Sequence, residues 1–351
     1  MRSGLLLLVA SAASVVSGSV LQNRDAPALP ASAFPQMNLL SMEDAKAGKD
    51  LIGKNFNVTR VSMADLLSQG AATPQSASAA SCSASPGMRF EWRQYSQSDR
   101  LALVSSIRCL MNRPPSGNFP PATNRYEDFV RLHQMWTPNI HNNAKFLIWH
   151  RYYVWTFEQV LRSECGFDRA FPWWDETKDA GNFAKLDMFS QPYFGNLLPA
   201  QSNGQGWCIN SGAFGGITLH IGPGTSNQNH CMTRAVNEQI TAQCNQGFID
   251  LPHAHGHNGI GGVMSDVYSS VSDPTFWMHH LFVDHSYRVW QAADPARYQT
   301  INGNDAQGNP LTLDTIVSVG GIRPDVRVRD IINTLGGVVI AGVPFCYKYN
   351  Y

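Results

Sequence analysis

The chain has 351 residues, 26 basic and 26 acidic side chains, and only 15% of its residues charged. Such a balance provides neither the basic field that gathers nucleic acid nor an acidic tail, so nucleic-acid binding is excluded as a leading reading. The length suffices to bury a sizeable core, in one large domain or two ordinary ones.

Residues 1–20, MRSGLLLLVASAASVVSGSV, place Arg2 ahead of an apolar run and then small residues, the pattern of a signal peptide cut near Gly18 to Val20. That run falls short of the ~20 residues a bilayer needs, and no later stretch qualifies, so the expected product is secreted or lumenal and not membrane-bound. Seven cysteines in an oxidising compartment point to disulfides with one thiol left over, and spacing does not set the pairing. Asn57-Val58-Thr59 is the single glycosylation sequon.

From Leu21 to about Pro86 short apolar patches mix with Ala, Ser, Gly and Pro; residues 21–86 read as an N-terminal arm or linker, with the folded domain over 87–351. EWRQYSQSDRLALVSSIRCLMNRP predicts a helix capped by Ser96 or Ser98, with Leu101, Val104, Ile107 and Leu110 near one face, ended by Pro114 and Pro115. A second helix begins after Thr123 or Asn124, and Pro138 breaks its pattern, which puts His141 on a loop. The longest helix runs from about Ala144 to Glu164, with His150 inside it and Gly166 at its end. Turn-like pieces rich in Gly, Asn, Pro and Ser, including PWWDE, fill the stretch from Pro172 to about Gln246 and predict long surface loops held down by Cys208 and Cys231. LPHAHGHN forms a short helix over Leu251 to Asn258, and a last long helix runs from Pro274 to about Ala293 with Asp273 as its N-cap. Beyond Asp294, TIVSVG and GGVVIAG predict small edge strands.

The chemistry lies in the histidines. His253 and His257 are four apart, which on a helix puts both imidazoles on one face at metal-ligand spacing. His150 and His280 sit within long apolar helices, and His133 stands on a fourth, with His141 close behind it. Imidazoles in such surroundings are costly unless something satisfies their nitrogens. The combination predicts a mainly α fold: a four-helix bundle core holding a metal centre between facing helices, with long loops and a few short β-strands. An all-histidine donor set suits copper, zinc, iron or nickel and argues against calcium and magnesium. Six histidines in two groups of three point to a dinuclear centre. Asp284, one turn after His280, is placed to orient a ligand or fill another buried role, or to pair with Arg288.

At these residues the chain resembles the tyrosinase, catechol oxidase and hemocyanin family, the type 3 copper proteins. His133, His141 and FLIWHRYYVWTFE are similar to the family's first copper motif; PHAHGHNGIGG and DPTFWMHHLFVDHSYRVWQ are similar to the second. The resemblance implies His133, His141 and His150 as ligands of one copper and His253, His257 and His280, the second histidine of its pair, as ligands of the other. PWWDE resembles the PYWDW segment after the first copper helix. Tyr347-Lys348-Tyr349 resembles the tyrosine motif that closes the core domain, with no covering domain after it. Disulfides Cys109 to Cys165, Cys208 to Cys231 and Cys82 to Cys346 are implied, leaving Cys244 free.

Members of this family use two copper ions and O2 to oxidise o-diphenols to quinones or to hydroxylate monophenols. The chain departs from the pattern in several places. No cysteine lies next to His141, so a Cys-His thioether does not form there, and Ala254 stands where hydroxylating members often carry Asn. Only Asp250 is near the position of a water-holding Glu. The implied activity is therefore a secreted dicopper oxidase of o-diphenols or o-aminophenols, a tailoring step in pigment or secondary-metabolite formation, with a small aromatic substrate and O2 as partners. Two alternatives remain: a zinc-dependent, non-oxidative lyase like the cyclopenases, which turn a benzodiazepinedione epoxide into a quinolone, and an oxygen-binding protein like hemocyanin. His255 is expected at the surface or behind the ligands, His285 in place of the usual cation of a surface pair, and either is a candidate acid or base. Val263, Met264, Val267, Tyr268 and Val271 are candidates for the substrate mouth, or ordinary loop packing.

Overall fold

The computed structural model describes residues 26–39, 82, 84–245 and 250–350. The signal segment, the sequon at Asn57 and the side chain of Asp250 lie outside the described residues. Five long helices form the core: α1 Gln97–Asn112, α2 Arg125–Ile140, α3 Phe146–Cys165, α4 Asp250–Ile260 and α5 Thr275–Ala292. Their ends obey local chemistry. The Ser96 hydroxyl accepts the Asp99 N–H, and the Asn124 side chain accepts the Glu127 N–H, each relieving an orphan donor of the first turn. Gly166 closes α3 at φ 66°, a left-handed position that favours glycine. Asp273 caps α5 through the N–H and hydroxyl of Thr275, at 3.0 and 2.8 Å, while Arg234 clamps the same carboxylate at 2.7 and 2.9 Å.

The expectation that Pro138 ends α2 is corrected. The helix continues to Ile140, and the His141 N–H closes its last turn on the Thr137 carbonyl at 3.2 Å. Proline this near a C-terminus removes one donor, and burial of Thr137 and Ile140 on the same turn holds the helix to the core. His141, the first residue past the helix, has extended backbone and opens the short non-helical stretch before α3, as expected.

Helix α3 packs against α1, α2 and α5, and α4 lies along α5. Nearly every side chain from Phe146 to Leu161 is buried, so α3 is the central rod of the molecule. Aromatic rings fill the space around it: Phe157 stacks on Trp277 with centroids 3.7 Å apart, and Trp149 on Tyr153 at 4.5 Å. Their polar tips are satisfied, as burial requires. Tyr126 donates to the Val271 carbonyl, Tyr153 to the Phe129 carbonyl, and Trp277 to the Tyr126 oxygen.

A three-stranded parallel sheet joins distant parts of the chain. Strand β1 (Gly87–Glu91) lies between β2 (Phe171–Trp173) and β3 (Tyr347–Tyr349), with Gly87 opposite Tyr347 and Arg89 opposite Phe171. The two-residue strand Ile316–Val317 and the hairpin Val338–Ile340 with Val343–Phe345 account for the expected small strands. Three disulfides form, Cys82 to Cys346, Cys109 to Cys165 and Cys208 to Cys231, and Cys244 is a buried free thiol.

Candidate metal centre

Helices α2 to α5 bring the expected histidines into two adjoining groups. One nitrogen from each of His133, His141 and His150 lies within 4.8 Å of the others, and the same holds for His253, His257, His279 and His280. None of the six expected ligands is more than 7% exposed. The Nε2 atoms of His133 and His150 are 3.5 Å apart, those of His257 and His280 3.2 Å apart. Two neutral imidazoles rarely face lone pair to lone pair at that distance without an ion between them, and about 3.3 Å is the edge of a tetrahedron with ~2.0 Å bonds.

The backbone sets the ring orientations. His133 Nδ1–H donates to the Tyr268 carbonyl at 2.9 Å, His141 to Thr137 at 3.2 Å, His150 to Phe146 at 2.9 Å and His257 to Met264 at 2.7 Å. A carbonyl partner fixes the proton on Nδ1 and leaves the Nε2 lone pair for a metal. Nε2 of His141 and of His253 has no hydrogen-bond partner, and both are buried. Burial and neighbouring imidazoles push His133, His150, His253, His257 and His280 well below the usual histidine range, and burial takes His141 down to about 4. The rings are neutral at ordinary pH, the state that binds metal. The donor set fits two soft or borderline ions. Phe146 borders both groups, its ring 4.6 Å from those of His150 and His253.

Other expected residues are placed differently. Asp284 is bound by Arg151 at 2.6 Å, Arg89 at 3.3 Å, and the hydroxyls of Tyr347 and Tyr349 at 2.7 and 2.6 Å, so its oxygens serve the α3–α5–sheet junction. His255 is buried, not at the surface, and stands outside both groups of ligand atoms. His285 stacks on Trp173 at 4.0 Å, and burial lowers its pKa to about 4. Of the mouth candidates, Val263, Met264 and Val271 are fully buried and offer no surface, whereas Val267 and Tyr268 are half-buried. A cavity of about 660 Å3 bordered by Cys82, Trp155, Glu158, Arg162 and Tyr347 has no histidine in its wall and is remote from this chemistry.

Two buried residues went unassigned in the sequence. Glu176 Oε1 lies 2.6 Å from Nδ1 of His279, and both side chains are wholly buried. Burial raises the Glu176 carboxyl well above its usual range and lowers His279 to about 3. The signal was visible: Glu176 stands where the PYWDW segment ends in tryptophan.

A helix bundle with two groups of buried imidazole nitrogens at its centre defines a dinuclear metalloprotein. Residues 123–247 and 225–293 match the family model of the common central domain of tyrosinase. Tyrosinase P of Aspergillus terreus is 29% identical over 335 residues, spanning 76% of this chain and 92% of that protein. N-acetyl-6-hydroxytryptophan oxidase ivoB of Emericella nidulans is 25% identical over 348 residues, spanning 75% and 92%. A solved polyphenol oxidase from Thermothelomyces thermophila shares the fold with a TM-score of 0.64 at 24% identity, over 75% of this chain and 88% of that one. The chain belongs to the tyrosinase family of type 3 copper proteins.

Proposed function

We propose that the protein is a secreted dicopper oxidase that converts o-diphenols to o-quinones, or o-aminophenols to the corresponding quinone imines, with O2. The observation that carries this reading is the pair of histidine groups, each offering inward-facing nitrogens within 4.8 Å of one another. The named activities of the relatives, a tyrosinase and a hydroxytryptophan oxidase, support a phenolic substrate and a role in secondary metabolism. His133, His141 and His150 would hold one copper and His253, His257 and His280 the other; when bound, the metals supply electron transfer to O2.

The chain's own part is orientation and exclusion of water. Backbone carbonyls of Tyr268, Thr137, Phe146 and Met264 lock four of the rings, so little reorganisation is left for the moment of reaction. Phe276 covers the inner side, with its ring 5.3 Å from that of His133 and 4.1 Å from that of His280. His141 and His253 are the most exposed of the six, at 7% and 6%. A flat aromatic substrate therefore approaches along the edge they share with Phe146, stacking over an imidazole of the second group. In the overall reaction two diphenols each give up two hydrogens to one O2, yielding two quinones and two waters.

The test is metal analysis of protein from a secretory host, followed by oxygen uptake with catechol and 2-aminophenol. Copper content with uptake supports the reading. Native zinc, with no activity after copper replacement, would instead favour a non-oxidative lyase.

A further inference from the structure

The cavity of about 660 Å3 away from the histidines has the size of a small-molecule pocket, roughly 300–1,000 Å3. Trp155, Glu158, Gln159 and Arg162 line it along one face of α3. Glu158 follows His150 by eight positions, about 12 Å of helix rise, so this wall lies further along the helix than the metal ligand. Apolar lining comes from Met88, from Val339, Val343 and Pro344 of the hairpin, and from the Cys82–Cys346 disulfide. Gln159 is only 7% exposed, yet its side-chain amide makes no hydrogen bond among the described residues. A buried amide left unpaired is costly, and a ligand in the cavity would relieve it.

Charge points the same way. Arg89 is paired with Glu158 at 3.0 Å and with Asp284 at 3.3 Å, Arg151 with Asp284 at 2.6 Å, and Arg162 with Glu158 at 2.8 Å. Three guanidiniums therefore share two carboxylates, which leaves one positive charge in excess in this wall and behind it. At the rim Arg169 pairs with Asp168, whose side chain is 76% exposed and screened by water. Arg162 commits its Nε and Nη2 hydrogens to Glu158 and the Arg169 carbonyl and one Nη1 hydrogen to the Phe167 carbonyl, so one Nη1 hydrogen is left over.

We propose that this cavity is a second small-molecule site, built for a carboxylic acid with a ring-sized apolar body. The carboxylate binds the remaining Nη1 hydrogen of Arg162 and the Gln159 amide, and the ring lies against the apolar lining from the hairpin, Met88 and the disulfide. The site shares no residue with the two histidine groups, so the inference does not depend on which metal they hold.

The experiment titrates 2-naphthylacetate, which carries no phenol to be oxidised, into the full chain by isothermal calorimetry, with copper bound and after its removal. One molecule per chain is expected, at the same affinity in both forms. Arg162→Met is expected to weaken binding about 10–100-fold, the size of a charge-assisted hydrogen bond, and the uncharged 2-naphthylacetamide to bind wild type more weakly by a similar factor. Gln159→Leu is expected to weaken it several-fold. Val339→Glu puts a negative charge at a position that is 59% exposed and is expected to weaken it too, without disturbing the core. Should Arg162→Met fail to fold, Val339→Glu and Gln159→Leu decide the matter. No saturable binding up to millimolar probe overturns the proposal, as does an affinity unchanged in every folded variant. Binding that vanishes with the copper places the probe at the histidines and overturns it as well.

Discussion

At the scale of single residues, each half of the centre depends on its own nitrogens. Replacing His150 or His280 by Ala is expected to lower bound metal from two ions per chain to about one, read by elemental analysis of desalted protein. His255, buried but outside both groups, marks the boundary of the ligand set. His255→Ala is expected to retain both ions, and loss of either would redraw the ligand assignment. The ligands were legible because helical spacing and the apolar setting of lone histidines are local properties of the sequence. The contact of Glu176 with His279 was not: its place at the end of PWWDE set Glu176 apart, but only the fold brings it against α5. The stacking of His285 on Trp173 was not legible either, because the two are more than a hundred positions apart.

At the scale of elements, the join between α3, α5 and the sheet centres on Asp284. Burial works against its charge, but Arg151 and Arg89, with the hydroxyl of Tyr349, hold the carboxyl below the usual aspartate range. Asp284→Asn leaves the buried Arg151 guanidinium without a counter-charge and Arg89 with Glu158 alone, and the expected loss is roughly 3–5 kcal/mol of stability. Because the folded-state value is depressed, this contribution is full above the unfolded aspartate's pKa, near 3.9, and disappears as pH falls through the folded value. Thermal melts of wild type and variant should differ widely at pH 7 and converge in strong acid; a gap independent of pH would refute the assignment. The partners come from positions 195, 133, 63 and 65 residues away, so no periodicity announced them. The end of α2 was misjudged on a local rule, since proline propensity yields when the turn containing it is buried.

Over the whole molecule, the sheet and the disulfides bind the start of the described core to its end. Cys82 and Cys346 are separated by 264 residues, and closing so long a loop removes much entropy from the unfolded chain. Replacing both by Ser is expected to cost roughly 2–5 kcal/mol, seen as a lower urea midpoint. Denatured, unreduced protein should titrate one thiol, that of Cys244. The helical core was readable from hydrophobic pattern and caps, and the pairing of cysteines from resemblance alone. The long loops between α3 and α4 were not readable in detail, because their shape is fixed by tertiary contacts and not by a repeat.

All these scales meet in the claim that two histidine groups hold copper for phenol oxidation. Oxygen consumption on addition of catechol to protein carrying two copper ions per chain addresses it most directly. Sustained uptake of one O2 for every two catechols, absent from the metal-free chain, is the expected result. Two bound coppers with no oxygen uptake on catechol or 2-aminophenol would contradict it.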